Sequence, residues 1–358
     1  MLRESASSDM PDGLILLTGG TGLIGRHVLA KMLADDEEQQ FAVLTRGSIE
    51  RLDVCGGRVW PVLGDLRSAN LGLSESVLSE LCMRVSGIVH CAAEIRFDLP
   101  LEEAREINVA GTRRVLHLAR RCAHLDRFAH IGTTYVAGRS EKPLPEARFV
   151  NEHGFFSSYQ ESKYEAEQLV LDQCGELPVS VYRLSTVIGD SQTGRVEQYN
   201  YFHQLIRLAR HNTLAVLPGS AEAQVDVVAT DWVTSAIVCL FSRHFEPGVV
   251  RNLCAGPANG IAVKELLTRV FERFEGSGKY PALVSGPEFA RYIEVRSKKA
   301  GGNRLRQLLQ TLAHFLPYLS IRQHFENEGT LALLRQVGQL QPVDSRLLLE
   351  RVLLNACW

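Results

Sequence analysis

Residues 14–30 read LILLTGGTGLIGRHVLA: four apolar residues and a threonine, then glycines at 19, 22 and 25, then a segment with helical spacing. A strand, a tight turn and a helix follow from that order. Gly19 permits the turn, Gly22 lets backbone approach a pyrophosphate, and Gly25 allows the helix to pack closely on the strand. The helix N-terminus favours negative charge. Thr18, Gly19, Gly22, Leu23, Ile24, Gly25 and Arg26 are therefore candidate contacts for a dinucleotide. A purely structural glycine turn is the alternative, and the strand before and helix after the glycines weigh against it.

Outward from this unit the same alternation continues. FAVLT, RVWPVLGD and GIVHCAAE read as strands, and an amphipathic stretch from Pro100 to His124 reads as a helix. RFAHIGTTYVAG, SYQESKYEAEQLVLDQC and VSVYRLSTVIG then read as strand, helix and buried strand. Strands alternating with helices predict an α/β fold, a Rossmann-type doubly wound parallel sheet, with a smaller and mostly helical C-terminal substrate portion. The expected boundaries are a flexible N-terminus at 1–12, the nucleotide-binding domain at 13–192 with returning segments at about 225–256, and the substrate portion at 193–224 and 257–358. NRLRQLLQTLAHFLPYL and DSRLLLERVLLNACW are amphipathic, and their apolar faces are expected to pack on the body. The same faces would serve a subunit contact, which leaves a homo-oligomer open.

Composition narrows the function classes. With 45% hydrophobic residues, 22% charged and a formal net charge of -2 over 358 residues, no global field attracts nucleic acid or an anionic membrane. The eight cysteines contain no C-x-x-C, and the histidines show no metal-ligand spacing, so no metal site is expected. No apolar run reaches the ~18 residues of a membrane span, and a cytoplasmic protein is the simplest expectation.

The second strand ends AVLTRGS, placing Arg46 where an NAD-selective site usually carries an acid. With Arg26, it would hold a 2′-phosphate, which favours NADP (as NADPH) over NAD. A solvated surface charge is the alternative for either arginine. Asp65, followed by Leu66 in VLGDL, would accept from the adenine amino group, and Ala92 in GIVHCAAE joins the cofactor contacts.

TGGTGLIG, GDL, HCAAE, INVAGT, HIGTTYVAG, YQESK and YRLSTVIGDSQTG occur in that order over about residues 13–195. Together they resemble an extended short-chain dehydrogenase/reductase. VHCAAEIRFDLPLEEAREINVAGTRRVLHLA and RLSTVIGDSQTG are similar to the branch of fatty acyl-CoA reductases (the male-sterility type) and thioester reductase domains of carrier-protein assembly lines. The resemblance implies NADPH-dependent reduction of an acyl thioester. It implies Tyr159 as catalytic tyrosine, Lys163 as its lysine, Thr133 as the hydroxyl residue, and Asn108 as the asparagine that orders the site. Gly132 departs from the branch, which often has serine there.

Physical chemistry supports those roles. Residues four apart share a helix face, so Lys163 can approach the Tyr159 phenol and favour its ionisation. Thr133 would donate to a carbonyl oxygen that Tyr159 protonates. The same groups would serve a free ketone, an aldehyde or a sugar nucleotide. A non-catalytic NADP-binding regulator is a further alternative, and the intact Thr133, Tyr159 and Lys163 set counts against it. No adenylation or carrier segment is read in the sequence, so a thioester substrate is expected in trans, on coenzyme A or a carrier protein. RYIEVRSKKAGGNRLRQ has a local positive excess that would suit a pantetheine phosphate or an acidic carrier helix, or is a solvated face.

Overall fold

Each residue of the first strand, β1 (Leu14–Thr18), is buried, and its side chains alternate between two cores. Leu14 and Leu16 join one hydrophobic cluster; Ile15 and Leu17 join the other. A strand covered on both faces needs a continuous apolar run, which is what LILLT provides. The computed structural model describes residues 10–47, 57–210, 215–274, 281–299, 319–322, 324–338 and 340–355. Most of the expected N-terminal arm, and the expected helix around 303–318, lie outside the described residues.

β1 is followed by α1 (Leu23–Asp35), β2 (Phe41–Thr45), β3 (Val59–Leu63), α2 (Glu75–Arg84) and β4 (Val85–His90). Next come α3 (Leu101–Arg105), α4 (Gly111–Arg121), β5 (Arg127–Thr133), α5 (Ser158–Leu171) and β6 (Val179–Leu184). The second half adds β7 (Thr186–Gly189), α6 (Tyr201–Arg210), β8 (Val216–Pro218), β9 (Gln224–Val225), β10 (Val227–Ala229), α7 (Thr230–Ser242), β11 (Val250–Leu253) and α8 (Val263–Arg273). Seven parallel strands form one sheet in the order β11-β6-β5-β4-β1-β2-β3. α1 and α7 cover one face, and α2, α4 and α5 the other. This is the doubly wound Rossmann arrangement, and its order reverses beside β1, where ligands bind in open α/β sheets.

Two elements depart from the sequence expectation. VSVYRLSTVIG is two strands, because the chain leaves the sheet at Ser185, whose hydroxyl donates to the Asp226 carbonyl at 2.8 Å. β7 then pairs with β10 outside the main sheet. The helix after Pro100 is interrupted by a π-helical turn at Glu106–Ala110. The helix Ser345–Asn355 packs its apolar face, Leu348, Leu349, Val352 and Leu353, into the core beside β7 and β10. Among the described residues, no helix is long and apolar enough to cross a membrane.

Candidate active site

A cleft of about 410 Å³ opens at the carboxyl ends of β1, β2 and β4. Thr18, Gly19, Gly22, Leu23, Ile24, Gly25, Arg46, Asp65, Leu66 and Ala92 line it. Gly19 has φ +74°, and a Cβ there would lie 2.6 Å from the Ala92 nitrogen. At Gly25 a Cβ would meet the Gly19 carbonyl oxygen at 2.2 Å. Both glycines are therefore obligatory for the turn. α1 begins with no side-chain cap and no acidic residue in its first turn. Its N-terminus is thus left for an anion, and the lining residues fit a dinucleotide.

The cations among the described lining residues are Arg46 and Arg67. Arg26, expected to join Arg46, is instead ion-paired with Glu197, which also contacts His27 at 3.1 Å. Asp65 is gripped by Arg67 at 2.7 Å, and those hydrogen bonds draw its carboxyl down to about 2. Arg67 carried no signal in the sequence, because its partnership with Asp65 depends on the turn between them.

Thr133 ends β5, while Tyr159 and Lys163 lie one turn apart at the start of α5. The Thr133 hydroxyl is near enough to the Tyr159 phenol to favour its ionised form, and Lys163 Nζ donates to the Ile131 carbonyl at 2.9 Å. Burial pushes Tyr159 up to about 12, against the opposing Thr133 hydroxyl. Desolvation of the phenolate is the largest influence on the group, and the expected depression would have to come from the charge of an oxidised nicotinamide together with Lys163. Burial also lowers Lys163 to about 8. One turn beyond Lys163, Glu167 forms a fully buried pair with Arg183 of β6 at 2.6 Å. The face bearing the site is thereby anchored to the sheet.

Asn108 sits in the π turn, where the extra residue turns its amide inward. Its Oδ1 accepts from the Glu94 N–H at 2.8 Å, and its Nδ2 donates to the Glu94 carbonyl at 3.1 Å and to Ser162 Oγ at 2.9 Å. One side chain therefore clasps the loop after β4 and the helix that carries Tyr159 and Lys163.

Behind it runs a buried chain that sequence reading missed. Ala92 N–H donates to Thr18 Oγ1, which lies 2.7 Å from His90 Nδ1. His90 Nε2 lies 2.9 Å from Thr112 Oγ1, which donates to the Asn108 carbonyl at 2.6 Å. The end groups fix the proton order. Thr112 spends its hydrogen on a carbonyl, so Nε2–H of His90 must donate to it, and Nδ1 accepts from Thr18. Burial, with the nearby Lys163 charge, holds His90 down at about 3 and so neutral.

An aromatic wall flanks the phenol. Phe97 packs edge-on against Tyr159, with ring centroids 4.9 Å apart, and against Tyr201 at 4.4 Å. Phe97 N–H donates to the Tyr201 hydroxyl, and the Tyr135 hydroxyl is 2.6 Å from Thr186 Oγ1. These residues come from five separate segments, so no local pattern announces them.

Comparison with known proteins places the chain in a family and finds the same fold in solved structures. The family model described as male sterility protein, an NAD-binding domain, matches residues 17–237. An isonitrile lipopeptide synthase from Streptomyces coeruleorubidus is 30% identical over 212 residues, 54% of this chain and 14% of that protein. Glycine betaine reductase from Emericella nidulans is 30% identical over 256 residues, 64% of this chain and 20% of that protein. The chain thus spans a fifth or less of the length of these two relatives. The solved terminal R domain from the myxalamid PKS-NRPS biosynthetic pathway shares the fold, with TM-score 0.80 at 23% identity, over 97% of this chain and 90% of that one. A family match over more than half the chain, on a sheet that brings the glycine turn to a cleft, identifies the chain as a member of the male sterility family of extended short-chain dehydrogenases/reductases.

Proposed function

We propose that the protein uses NADPH to reduce an acyl thioester, carried by coenzyme A or a carrier protein, to an aldehyde. The observation that carries this reading is the meeting of Thr133, Tyr159 and Lys163 beside the cleft, with the phenol protonated. The glycine turn and the α1 N-terminus would hold the pyrophosphate, and Arg46 with Arg67 would supply positive charge for a 2′-phosphate. Bound there, the reduced nicotinamide supplies a hydride.

The chain's own groups do the rest. Thr133 and Tyr159 donate to the thioester oxygen as negative charge develops on it, and Tyr159 passes its proton there. Lys163, held by the Ile131 carbonyl, keeps a positive charge one helical turn from Tyr159 as that proton leaves. The resulting hemithioacetal collapses, expels the thiol and leaves the aldehyde. A second reduction would give the alcohol. Phe97, Tyr135 and Tyr201 present aromatic surface to an apolar acyl chain and exclude water.

The reading is tested by offering purified protein and NADPH, in parallel, an acyl-coenzyme A, an acylated carrier protein, and the corresponding aldehydes and ketones. Thioester-dependent NADPH oxidation with aldehyde trapped as a hydrazone is the expected result. Turnover of ketones with no thioester consumed would overturn it in favour of a free-carbonyl reductase.

A further inference from the structure

Two cysteines that the sequence separates by a strand and two helices meet in the fold. Cys82 lies on the last turn of α2, and Cys122 is the first residue beyond α4. Both thiols point at one acceptor, the Leu118 carbonyl, at 3.9 and 3.4 Å. The two thiols are also near enough for each to influence the other's ionisation. Backbone joins at the same place, where Ala123 N–H donates to the Cys82 carbonyl at 3.1 Å. Neither cysteine has a part in the candidate active site, since both precede the amino ends of strands, β4 and β5, and the cleft lies at the carboxyl ends.

The pair differs from the other described cysteines. Cys82 and Cys122 are buried, as are Cys239 and Cys254, but the latter two are not within reach of another described thiol, while Cys174 is exposed and Cys91 lines the cleft. At Cys82, the neighbouring Cys122 thiol and the charge of Arg121 outweigh burial and lower the thiol below its usual range. Cys122 is raised, first by its neighbour Cys82 and then by burial. One attacking sulfur and one resolving sulfur, side by side, are the parts that thiol–disulfide exchange requires.

We infer that Cys82 and Cys122 form an oxidisable dithiol, which a small disulfide of the glutathione class converts to an intramolecular disulfide joining α2 to α4. Cys82 loses its proton to solvent and attacks one sulfur of the external disulfide. That S–S bond breaks, one small thiol leaves, and a mixed disulfide remains on Cys82. Cys122 then loses its proton and attacks the Cys82 sulfur, expelling the second small thiol. The two protein thiols give up two electrons and two protons, and the external disulfide is reduced to two thiols. The closed loop runs from Cys82 to Cys122 and contains His90, Glu94, Asn108 and Thr112. Restricting that loop in the unfolded chain stabilises the fold without moving the cleft.

The test uses the full chain, reduced and then incubated with oxidised glutathione, quenched with an alkylating agent and mapped by peptide mass. Expected are a Cys82–Cys122 cross-linked peptide lighter by two hydrogens, reversal by dithiothreitol, a Tm raised by several degrees, and unchanged cofactor binding. In Cys122→Ser, oxidation should stop at a glutathione adduct on Cys82, with no rise in Tm. Two results would overturn the inference: wild-type protein in which Cys82 and Cys122 both remain alkylatable after Cys174 has fully reacted, or a glutathione adduct that accumulates on Cys82 without closing. None of these readouts depends on which carbonyl the active site reduces.

Discussion

Lys163 Nζ donates a 2.9 Å hydrogen bond to the carbonyl oxygen of Ile131, two residues before Thr133 on the same strand. The ammonium is thereby held by backbone one helical turn from Tyr159, and burial has lowered its pKa from 10.5 to about 8. Tyr159, at about 12, stays protonated through the whole neutral range. The reductive rate should therefore be level below pH 8 and fall as pH rises through about 8, when Lys163 loses its charge. A kcat profile from pH 6 to 10 measures this. A rate that rises across that limb would contradict it.

The order of protons along Thr18, His90, Thr112 and Asn108 gives a second expectation. Thr112→Val keeps the shape but removes the hydroxyl that joins His90 to the π turn. Its kcat should drop about 3- to 10-fold with little change in cofactor Kd, the size of one lost neutral hydrogen bond. Thr112→Ser should retain the rate. Nitrogen NMR should find His90 neutral, with the proton on Nε2. A proton on Nδ1 would break the proposed order.

At the far end of the cleft, Arg46 makes no ion pair with a described residue, whereas Arg67 holds the Asp65 carboxylate at 2.7 Å. Replacing it with alanine should weaken NADPH by about 10- to 100-fold, as for a lost charge-assisted contact, and leave NADH nearly unchanged. Fluorescence titration of both cofactors decides this. Equal losses would remove Arg46 from phosphate recognition.

Glu167 and Arg183 tie the catalytic helix to β6 through a pair with no solvent exposure on either side chain. Arg183 also donates to the Pro145 and Ala147 carbonyls at 2.8 and 3.0 Å. Glu167→Ala strands this guanidinium in the core and should cost about 3–5 kcal/mol. The urea midpoint should shift accordingly; a loss below about 1 kcal/mol would mean that the interior tolerates the lone charge.

What could be read from the sequence and what could not divide along physical lines. The glycine turn is local: strand, Gly19, Gly25 and helix are adjacent, so spacing alone placed them at the cleft. Tyr159 and Lys163 likewise needed only helical periodicity to share a face. The π turn was hidden, because Asn108 turns inward to meet Glu94 and Ser162, which lie 14 and 54 residues away. Arg26 follows the last glycine of the turn, as a phosphate ligand would, but its partner Glu197 lies 171 residues later in the sequence. The aromatic wall and the Cys82–Cys122 pair are also contacts between remote segments, and the direction of the Tyr159 shift follows from burial that no local pattern reports.

The central claim is that Tyr159 delivers the proton when a thioester is reduced. The rate of NADPH oxidation with a saturating acyl thioester, compared between wild type and Tyr159→Phe, tests it most directly. A fall of about 10²- to 10⁴-fold in kcat with cofactor Kd unchanged is the expected result. A variant that reduces the thioester at the wild-type rate would contradict the assignment.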